Sequence, residues 1–140
     1  MLKRVKEYKK INAERIKEQA RKRYNTPEGR KVSVTRTNNY RAKKKQLLND
    51  LTVEQWNECL NYFNHSCAYC GEQHESLEQE HFISVSKGGA FTKTNIVTAC
   101  RSCNASKYNQ DFFEWFKQQE YYSIEREKRI LSYLGREIKK

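Results

Sequence analysis

Four of the five cysteines stand in two pairs with identical spacing. Cys67 and Cys70 form one CxxC pair, and Cys100 and Cys103 form the other. Two such pairs in one chain are the ligand pattern of a tetrahedral zinc site with four thiolates. The first residues are basic but no apolar run follows them, so we expect no secretory signal. The expected compartment is therefore a reducing cytoplasm, which favours zinc over disulfides.

Four thiolates fill the coordination sphere of a zinc ion and leave no position for water or substrate. We therefore predict a structural zinc, which can contribute roughly 10 kcal/mol or more to folding. The chain needs such help, because its apolar fraction of 36% is below the usual ~45–50%. The fifth cysteine, Cys59, lies at helical spacing with Trp56, Leu60 and Phe63 and is interpreted as a buried apolar residue.

The 29 residues between the two cysteine pairs exceed the ~15–20 of a plain zinc ribbon. We predict a strand over Leu77–Val85 that leads into an irregular loop, with a turn at Lys87-Gly88-Gly89. A second strand is predicted over Asn95–Thr98, and a helix would start over Asn104–Lys107. The order is strand, loop, strand, helix, with the cysteine pairs clamping its ends.

The run EHFISVSKGG, followed by TNIVTACRSCNASK and preceded by CAYCG, resembles an HNH endonuclease of the ββα-metal, treble-clef kind. It is most similar to the small four-cysteine forms common in bacteriophages, and the resemblance covers about residues 50–116. The elements are individually ordinary but jointly specific: an acidic residue before His, a distant Asn, then Cys-x-x-Cys-Asn-x-x-Lys. The resemblance implies a DNA endonuclease whose products carry 5′-phosphate and 3′-hydroxyl ends.

The resemblance also implies roles for four residues. His81 matches the general base, Glu80 and Asn104 match the ligands of a catalytic divalent ion, and Asn95 matches the residue that braces the histidine-bearing loop. The sequence departs from the family twice, since the acid is more often Asp and the last ligand is often His. Glu80 is one methylene longer than Asp, which leaves the preferred ion open between Mg²⁺, the default, and Mn²⁺.

These residue types suit phosphodiester hydrolysis. A neutral imidazole can take a proton from water, which is worth about 10²–10⁴-fold in rate, and a hard divalent ion takes oxygen ligands and acts as a Lewis acid. Lys107, one helical turn past the last ligand, is predicted to contact the same phosphate. Adjacent strand residues face opposite sides, so we expect a local irregularity where Glu80 and His81 converge. His65 and His74 lack comparable neighbours.

The net charge of +11 is concentrated in the first third of the chain. Residues 1–50 hold 17 Lys and Arg against 5 Asp and Glu, whereas residues 51–140 hold 11 against 12. This asymmetry predicts a segment that meets a polyanion, with nucleic acid as the leading candidate, although a solubilising tail is the alternative. A helix is predicted over 2–24, and Thr26 with Pro27 predicts the start of another. The side chains predicted to contact nucleic acid in this arm are Arg21, Arg23, Arg30, Lys31, Arg36, Arg41, Lys43, Lys44 and Lys45.

The predicted fold class is α+β: a small ββα-metal, treble-clef-like HNH finger with a structural zinc site, flanked by helices. Residues 1–50 are interpreted as a basic, largely helical DNA-binding arm and residues 51–140 as the nuclease domain with C-terminal packing helices. A run of about 18 apolar residues is missing from the sequence, so we expect no membrane span. The predicted packing segments are 53–63, capped by Asn49 or Thr52; the aromatic residues Phe112, Phe113, Trp115 and Phe116; and a last helix after Ser123 with Ile130, Leu131, Leu134 and Ile138.

Two functions fit these patterns. The first is a metal-dependent endonuclease that nicks or cuts DNA in the cytoplasm of a bacterial or phage-infected cell. The second is a non-catalytic zinc-finger protein that binds nucleic acid, which would not need Glu80, His81 or Asn104. The presence of all three at family positions favours the enzyme. DNA packaging, homing and defence all fit, so phage packaging proteins are one compatible class of partner, and the oligomeric state is open.

Overall fold

The computed structural model describes residues 2–137, apart from the side chains of Leu2, Lys3 and Lys9. The chain separates into two units, residues 1–37 and 38–140. The last residues of the predicted arm, 38–50, therefore belong to the unit that carries the cysteines and His81. Helices combine with one two-stranded antiparallel sheet, which confirms the predicted α+β class.

Residues 2–24 form two helices where the sequence predicted one. Helix α1 spans Leu2–Ile11 and helix α2 spans Ala13–Tyr24. The prediction of one continuous helix was wrong at Asn12, whose side-chain Nδ2 donates to the Tyr8 carbonyl at 2.9 Å. Such local side-chain bonds compete with regular helical hydrogen bonding. No residue of α2 is buried, as the sparse apolar stripe indicated.

Helix α3 spans Pro27–Lys44 and begins as predicted. The Thr26 hydroxyl accepts a hydrogen bond from the Gly29 amide at 3.0 Å, and Pro27 occupies the first helical position, where a missing N–H costs nothing. The helix continues through the second basic stretch, so its last residues, from Asn38 onward, belong to the second unit.

Helix α4 spans Val53–Tyr62 and is capped by Thr52 rather than Asn49. The Thr52 hydroxyl accepts from the Gln55 amide at 3.1 Å, and the Gln55 side chain accepts from the Thr52 amide at 3.0 Å. This reciprocal pair is a capping box, which satisfies two amides that the helix itself leaves unpaired. Trp56 and Cys59 lie on its buried face, as the helical spacing predicted.

Strand β1 spans Glu78–His81 and pairs antiparallel with strand β2, Ile96–Ala99. The prediction of a strand as far as Val85 was wrong, because the chain leaves the ladder at Phe82. The Phe82 amide donates to the Asn95 carbonyl at 2.8 Å, and a short 3-10 helix follows over Val85–Lys87.

The predicted turn at Lys87-Gly88-Gly89 is confirmed, and each glycine has a reason. Gly88 has a φ of +83°, a left-handed conformation that favours glycine. At Gly89, a Cβ atom would lie 1.7 Å from the Ile83 carbonyl oxygen. Only glycine allows the backbone of this loop to approach itself so closely.

Three helices complete the second unit. Helix α5 spans Arg101–Lys107 and starts three residues before the predicted Asn104, because the Cys100 sulfur caps it by accepting from the Cys103 amide at 3.4 Å. Helix α6 spans Phe112–Phe116. Helix α7 spans Ile124–Tyr133.

Helix α7 begins after Ser123, as predicted, and the Ser123 hydroxyl accepts from the Arg126 amide at 3.1 Å. The Ile138 position that the sequence assigned to this helix lies outside the described residues. In the part of the chain that is described, no helix combines the length and apolarity needed to cross a bilayer.

The core of the second unit is rich in aromatic rings. The Phe112 and Phe116 rings stack at 5.1 Å, and Tyr69, between the first two cysteines, meets Trp115 edge to face at 5.0 Å. Aromatic pairs of this kind add to the free energy gained by burial alone. The largest fully buried side chains are Tyr69, Phe91, Ile96, Val97, Lys107, Phe112, Trp115, Phe116, Ile130, Leu131 and Leu134.

Candidate active site and zinc cluster

The four cysteines of the two CxxC pairs form one cluster. Their sulfur atoms all lie within 4.8 Å of one another, and three of the four residues are buried. All five cysteines of the chain are free of disulfides. Tetrahedral zinc with Zn–S bonds of ~2.3 Å places its sulfurs roughly 3.8 Å apart, so the donor set fits a zinc ion with small adjustments. The cluster can therefore bind a metal such as zinc.

The first cysteine pair is held in a tight turn. The Gly71 amide donates to the Cys67 carbonyl at 2.9 Å, and the Cys67 amide donates to the Glu72 carbonyl at 2.9 Å. Gly71 has a φ of +77°, which favours glycine over residues with a side chain. The Ala68 amide donates to the Thr98 carbonyl at 2.9 Å, so this turn is bonded directly to β2, the strand that leads into the second pair.

Helix α5 is bonded to strand β1 by three polar contacts. The Asn104 Nδ2 atom donates to Glu78 Oε2 at 2.6 Å. The Lys107 ammonium lies 2.8 Å from Glu80 Oε1 and donates to the His81 carbonyl at 2.8 Å. Glu78 and Glu80 are two residues apart in the strand and share one face. That face therefore meets the side of α5 that carries Asn104 and Lys107.

Lys107 is buried, although a residue that contacts a substrate phosphate should be accessible. Its side chain is fully buried, with a relative exposure of 0%, whereas the sequence predicted a contact with the substrate phosphate. The Lys107 ammonium can be buried because the Glu80 carboxylate, 2.8 Å away, supplies the opposite charge that a buried ammonium requires.

Glu80, His81 and Asn104 line one cavity of about 550 Å³. The same cavity is lined by three exposed cationic side chains from the end of α3 and the residues after it, Arg41, Lys44 and Lys45. Three members of the predicted basic arm therefore share a cavity with three of the four residues of the predicted catalytic centre, Asn95 being the exception. Lys43 is exposed but does not line the cavity, and Arg21, Arg23, Arg30, Lys31 and Arg36 belong to the first unit.

The expected irregularity between Glu80 and His81 is not present. The β1–β2 ladder runs in unbroken register from Glu78 opposite Ala99 to His81 opposite Ile96. Both Glu80 and His81 nevertheless line the cavity. Glu80 and His81 thus reach the same cavity from the end of a regular strand, one residue before the chain leaves the sheet.

Burial shifts the proton affinities of both residues. Burial, together with the smaller effect of the positive charge of Lys107, lowers the pKa of His81 from 6.5 to about 4. Burial also raises the pKa of Glu80 from 4.5 to about 7, a shift that the nearby Lys107 opposes. At pH 7 the imidazole of His81 is neutral and has a nitrogen lone pair that can accept a proton.

Asn95 closes the loop that follows His81. Its Nδ2 atom donates to the Ile83 carbonyl at 3.0 Å and to the Ala90 carbonyl at 2.8 Å. Its Oδ1 atom accepts from the Ile83 amide at 2.9 Å. The residue is buried, so these three bonds tie together the two ends of the loop between the strands.

Glu78 and Tyr108 lie at the site and were not predicted from the sequence. Glu78 contacts Asn104, and the period of two along β1, which places it on the same face as Glu80, was the available signal. Tyr108 lines the cavity with an exposed ring and has a φ of +48°, which no pattern in the sequence indicated. Of the other histidines, His65 contacts Asn61, whereas His74 lies beside the cysteine cluster.

Comparison with known proteins agrees with this geometry. Residues 67–110 match the HNH endonuclease family. The chain is 36% identical over 98 residues to a protein of Bacillus subtilis (strain 168) named "SPbeta prophage-derived putative HNH endonuclease YoqL". That match covers 62% of this chain and 43% of the relative, so the chain spans less than half the length of that protein. The family match begins at Cys67, the first cysteine of the cluster, and includes the strands, the loop and α5, so residues 67–110 match as an HNH endonuclease domain.

Proposed function

We propose that this protein is a metal-dependent DNA endonuclease that hydrolyses phosphodiester bonds, with His81 as its general base. The observation that carries the proposal is the meeting of Glu80, His81 and Asn104 in one cavity whose wall also bears exposed cations. A cavity of about 550 Å³ accommodates a phosphodiester group, and its cations favour a polyanionic ligand.

His81 supplies the base. Its pKa of about 4 keeps the ring neutral at physiological pH, so a ring nitrogen can take a proton from an attacking water molecule. Asn95 holds the loop that follows His81 through three hydrogen bonds, which limits movement of the chain on that side of the histidine. The His81 ring is thus carried by the end of β1, which is held by its pairing with β2 before this point and by the loop bonded to Asn95 after it.

Glu80 and Asn104 would hold a divalent ion, Mg²⁺ or Mn²⁺. Both line the cavity, and a carboxylate with an amide oxygen is a donor set that suits hard cations. The bond from Asn104 Nδ2 to Glu78 turns the amide oxygen of Asn104 away from Glu78, as a ligand atom requires. When bound, the ion neutralises phosphate charge and stabilises the leaving oxygen.

Arg41, Lys44 and Lys45 would bind phosphates that flank the scissile one. Such contacts carry no sequence information but fix the register of the backbone in the site. The prophage origin in the relative's name supports action on DNA in a bacterial or phage-infected cell. Packaging, homing and defence remain compatible roles.

Supercoiled plasmid incubated with Mg²⁺ or Mn²⁺ tests the assignment. We expect the wild type to nick or linearise the plasmid and His81→Ala to cleave roughly 10²–10⁴-fold more slowly. Asn104→Ala should also lose cleavage, and both variants should bind DNA as tightly as the wild type when no Mg²⁺ or Mn²⁺ is added. The matched control is His65→Ala, an exposed histidine outside the cavity, which should cleave normally.

Two results would contradict the proposal in different ways. Undiminished cleavage by His81→Ala would reject the base assignment. A wild type that binds DNA but fails to cleave it with either divalent ion would instead favour the non-catalytic zinc-finger function.

The salt dependence of DNA binding tests the cavity wall. A variant with Arg41, Lys44 and Lys45 changed to Gln should lower the slope of log K against log salt by up to about three units, roughly 0.9 for each phosphate that is no longer neutralised. A matched variant with Arg21 and Arg23 changed to Gln measures the share of the first unit. An unchanged slope in the first variant would remove the cavity wall from the proposed phosphate-binding surface.

A further inference from the structure

The fully buried lysine of helix α5 is the most unusual charged residue of the second unit. The Lys107 side chain has a relative exposure of 0%, and that of its partner Glu80 has 5%. Removing two charges from water is strongly unfavourable unless geometry and further hydrogen bonds compensate. Here the compensation is specific, because one ammonium serves both the Glu80 carboxylate and the His81 carbonyl, each at 2.8 Å.

We propose that Lys107 is a positioning residue for the active site rather than a phosphate contact; this inference rests on the proposed nuclease function. Its ammonium fixes two groups at once. The bond to Glu80 Oε1 sets the orientation of the carboxylate and thus the direction of its second oxygen. The bond to the His81 carbonyl holds the backbone of the residue that carries the imidazole, at the point where β1 ends.

The geometry argues against direct contact between Lys107 and the substrate. Lys107 does not line the cavity that Glu80 and His81 share, whereas Arg41, Lys44 and Lys45 do. A phosphate that reached the Lys107 ammonium would have to displace Glu80 from it. The lysine therefore acts from behind the site, through the two residues it holds.

Helix α5 gives this anchor a rigid base. The helix starts at the zinc cluster, where the Cys100 sulfur caps it, and Lys107 is its last residue. This short helix thereby connects the cysteine cluster at its start to Glu80 and His81 at its end. The structural metal and the catalytic residues are linked through seven residues of helix.

The test compares Lys107→Met, which removes the charge but keeps an unbranched side chain, with Lys128→Met, an exposed lysine of α7. Four quantities are measured: DNA affinity with its salt slope in the absence of added Mg²⁺ or Mn²⁺, single-turnover cleavage at saturating DNA, Mn²⁺ affinity by electron paramagnetic resonance without DNA, and the NMR signals of the His81 ring. Zinc content and circular dichroism check the fold of each variant.

We expect Lys107→Met to bind DNA with unchanged affinity and salt slope, and to cleave roughly 10–100-fold more slowly, the usual effect of losing a residue that orients a metal ligand. Its Mn²⁺ affinity should change and its His81 ring signals should shift or broaden. Lys128→Met should match the wild type in all four measurements. Weaker DNA binding with a salt slope reduced by about one would instead identify a phosphate contact and overturn the inference.

Lys107→Arg keeps the inference testable if the Met variant does not fold. The guanidinium retains the charge but is planar and larger than an ammonium, and cannot replace it atom for atom. We expect normal DNA binding with slowed cleavage, and an Arg variant as fast as the wild type would reject a positional role. If the wild type itself does not cleave DNA, the nuclease proposal fails. Unchanged Mn²⁺ affinity and unchanged His81 signals in the folded variants would separately reject the role of Lys107.

Discussion

Removing the Asn95 side chain should destabilise the loop between the two strands. Asn95→Ala deletes three short hydrogen bonds of a buried side chain, two to the Ile83 backbone and one to the Ala90 carbonyl, and a longer one from the Arg136 guanidinium at 3.5 Å. A buried hydrogen bond is worth about 1 kcal/mol net, and a buried polar group left unpaired costs about 1–3 kcal/mol. We expect a loss of about 3 kcal/mol in the free energy of unfolding.

Urea denaturation and thermal unfolding measure this loss. For a unit of this size, about 3 kcal/mol corresponds to a fall of more than about 10 °C in Tm. Hydrogen exchange locates it, because the Ile83 amide bonds directly to Asn95 Oδ1 and should lose protection first. Asn109→Ala, at an exposed position, is the control and should stay within about 0.5 kcal/mol of the wild type.

Asn95→Asp sharpens the test. It keeps an acceptor for the Ile83 amide but replaces both donors with a carboxylate that would face two carbonyl oxygens. The Arg136 guanidinium, 3.5 Å from Asn95 Oδ1, would face the new carboxylate, but the repulsion from the two carbonyl oxygens remains, so the Asp variant should be less stable than the wild type. An Asn95→Ala protein with wild-type stability and unchanged Ile83 exchange would refute the argument that this side chain closes the loop.

Three further predictions follow from the cysteines and from His81. Purified protein should contain one zinc ion per chain, and chelation should unfold residues 66–104, as followed by circular dichroism; a stripped protein that keeps its fold would exclude a structural zinc. The His81 ring signals should stay at their neutral-form position in NMR as the pH falls from 8 to about 5, since its pKa is about 4, whereas titration near the ordinary value of ~6.5 would show that the ring is not desolvated. Burial raises the pKa of the Cys59 thiol to about 12, so iodoacetamide should not label Cys59 at pH 8 until the protein is unfolded, and rapid labelling of the folded protein would contradict its place in the core.

The features that the sequence predicted correctly depend on neighbours close in the chain. Thr26, Thr52 and Ser123 cap helices because each bonds to an amide only three residues away, and such signals are visible in any short window. The turn at Gly88 is equally local. The cysteine pairs are not local to each other, but the chemistry of zinc restricts what two CxxC pairs can do.

The features that the sequence did not predict depend on contacts across the fold. Lys107 lies 27 residues from Glu80 and Asn104 lies 26 residues from Glu78, so nothing near Lys107 indicated that it would be buried. In a sequence with 28 Lys and Arg, a lysine beside a predicted phosphate site is most simply interpreted as a phosphate ligand. Its true surroundings depend on how α5 packs against β1, which is a property of the tertiary structure alone.

Buried polar residues concentrate at the proposed site. Of the six buried polar or charged residues among those described, Gln79, Glu80, Asn95, Thr98 and Lys107 belong to the two strands, the loop and α5, and the sixth, Thr35, lies in the first unit. Apolar residues would pack there at lower cost, since buried polar groups are unfavourable unless they are fully bonded. Exceptions to the rules of core packing are expected where function requires them, which predicts that the Glu80–Lys107 pair is retained for activity rather than for stability.

A double-mutant cycle separates the two explanations. Lys107→Met alone should destabilise the protein by about 3–5 kcal/mol, because it leaves a buried carboxylate unpaired. Adding Glu80→Met removes that charge, so the double variant should recover to within about 1 kcal/mol of the wild type or exceed it, as other buried ion pairs replaced by apolar residues have done. The double variant should nevertheless lack cleavage and show weakened Mn²⁺ binding. Urea denaturation gives the free energies, and a double variant as unstable as Lys107→Met alone would mean that the pair holds the fold together and that its burial says nothing about catalysis.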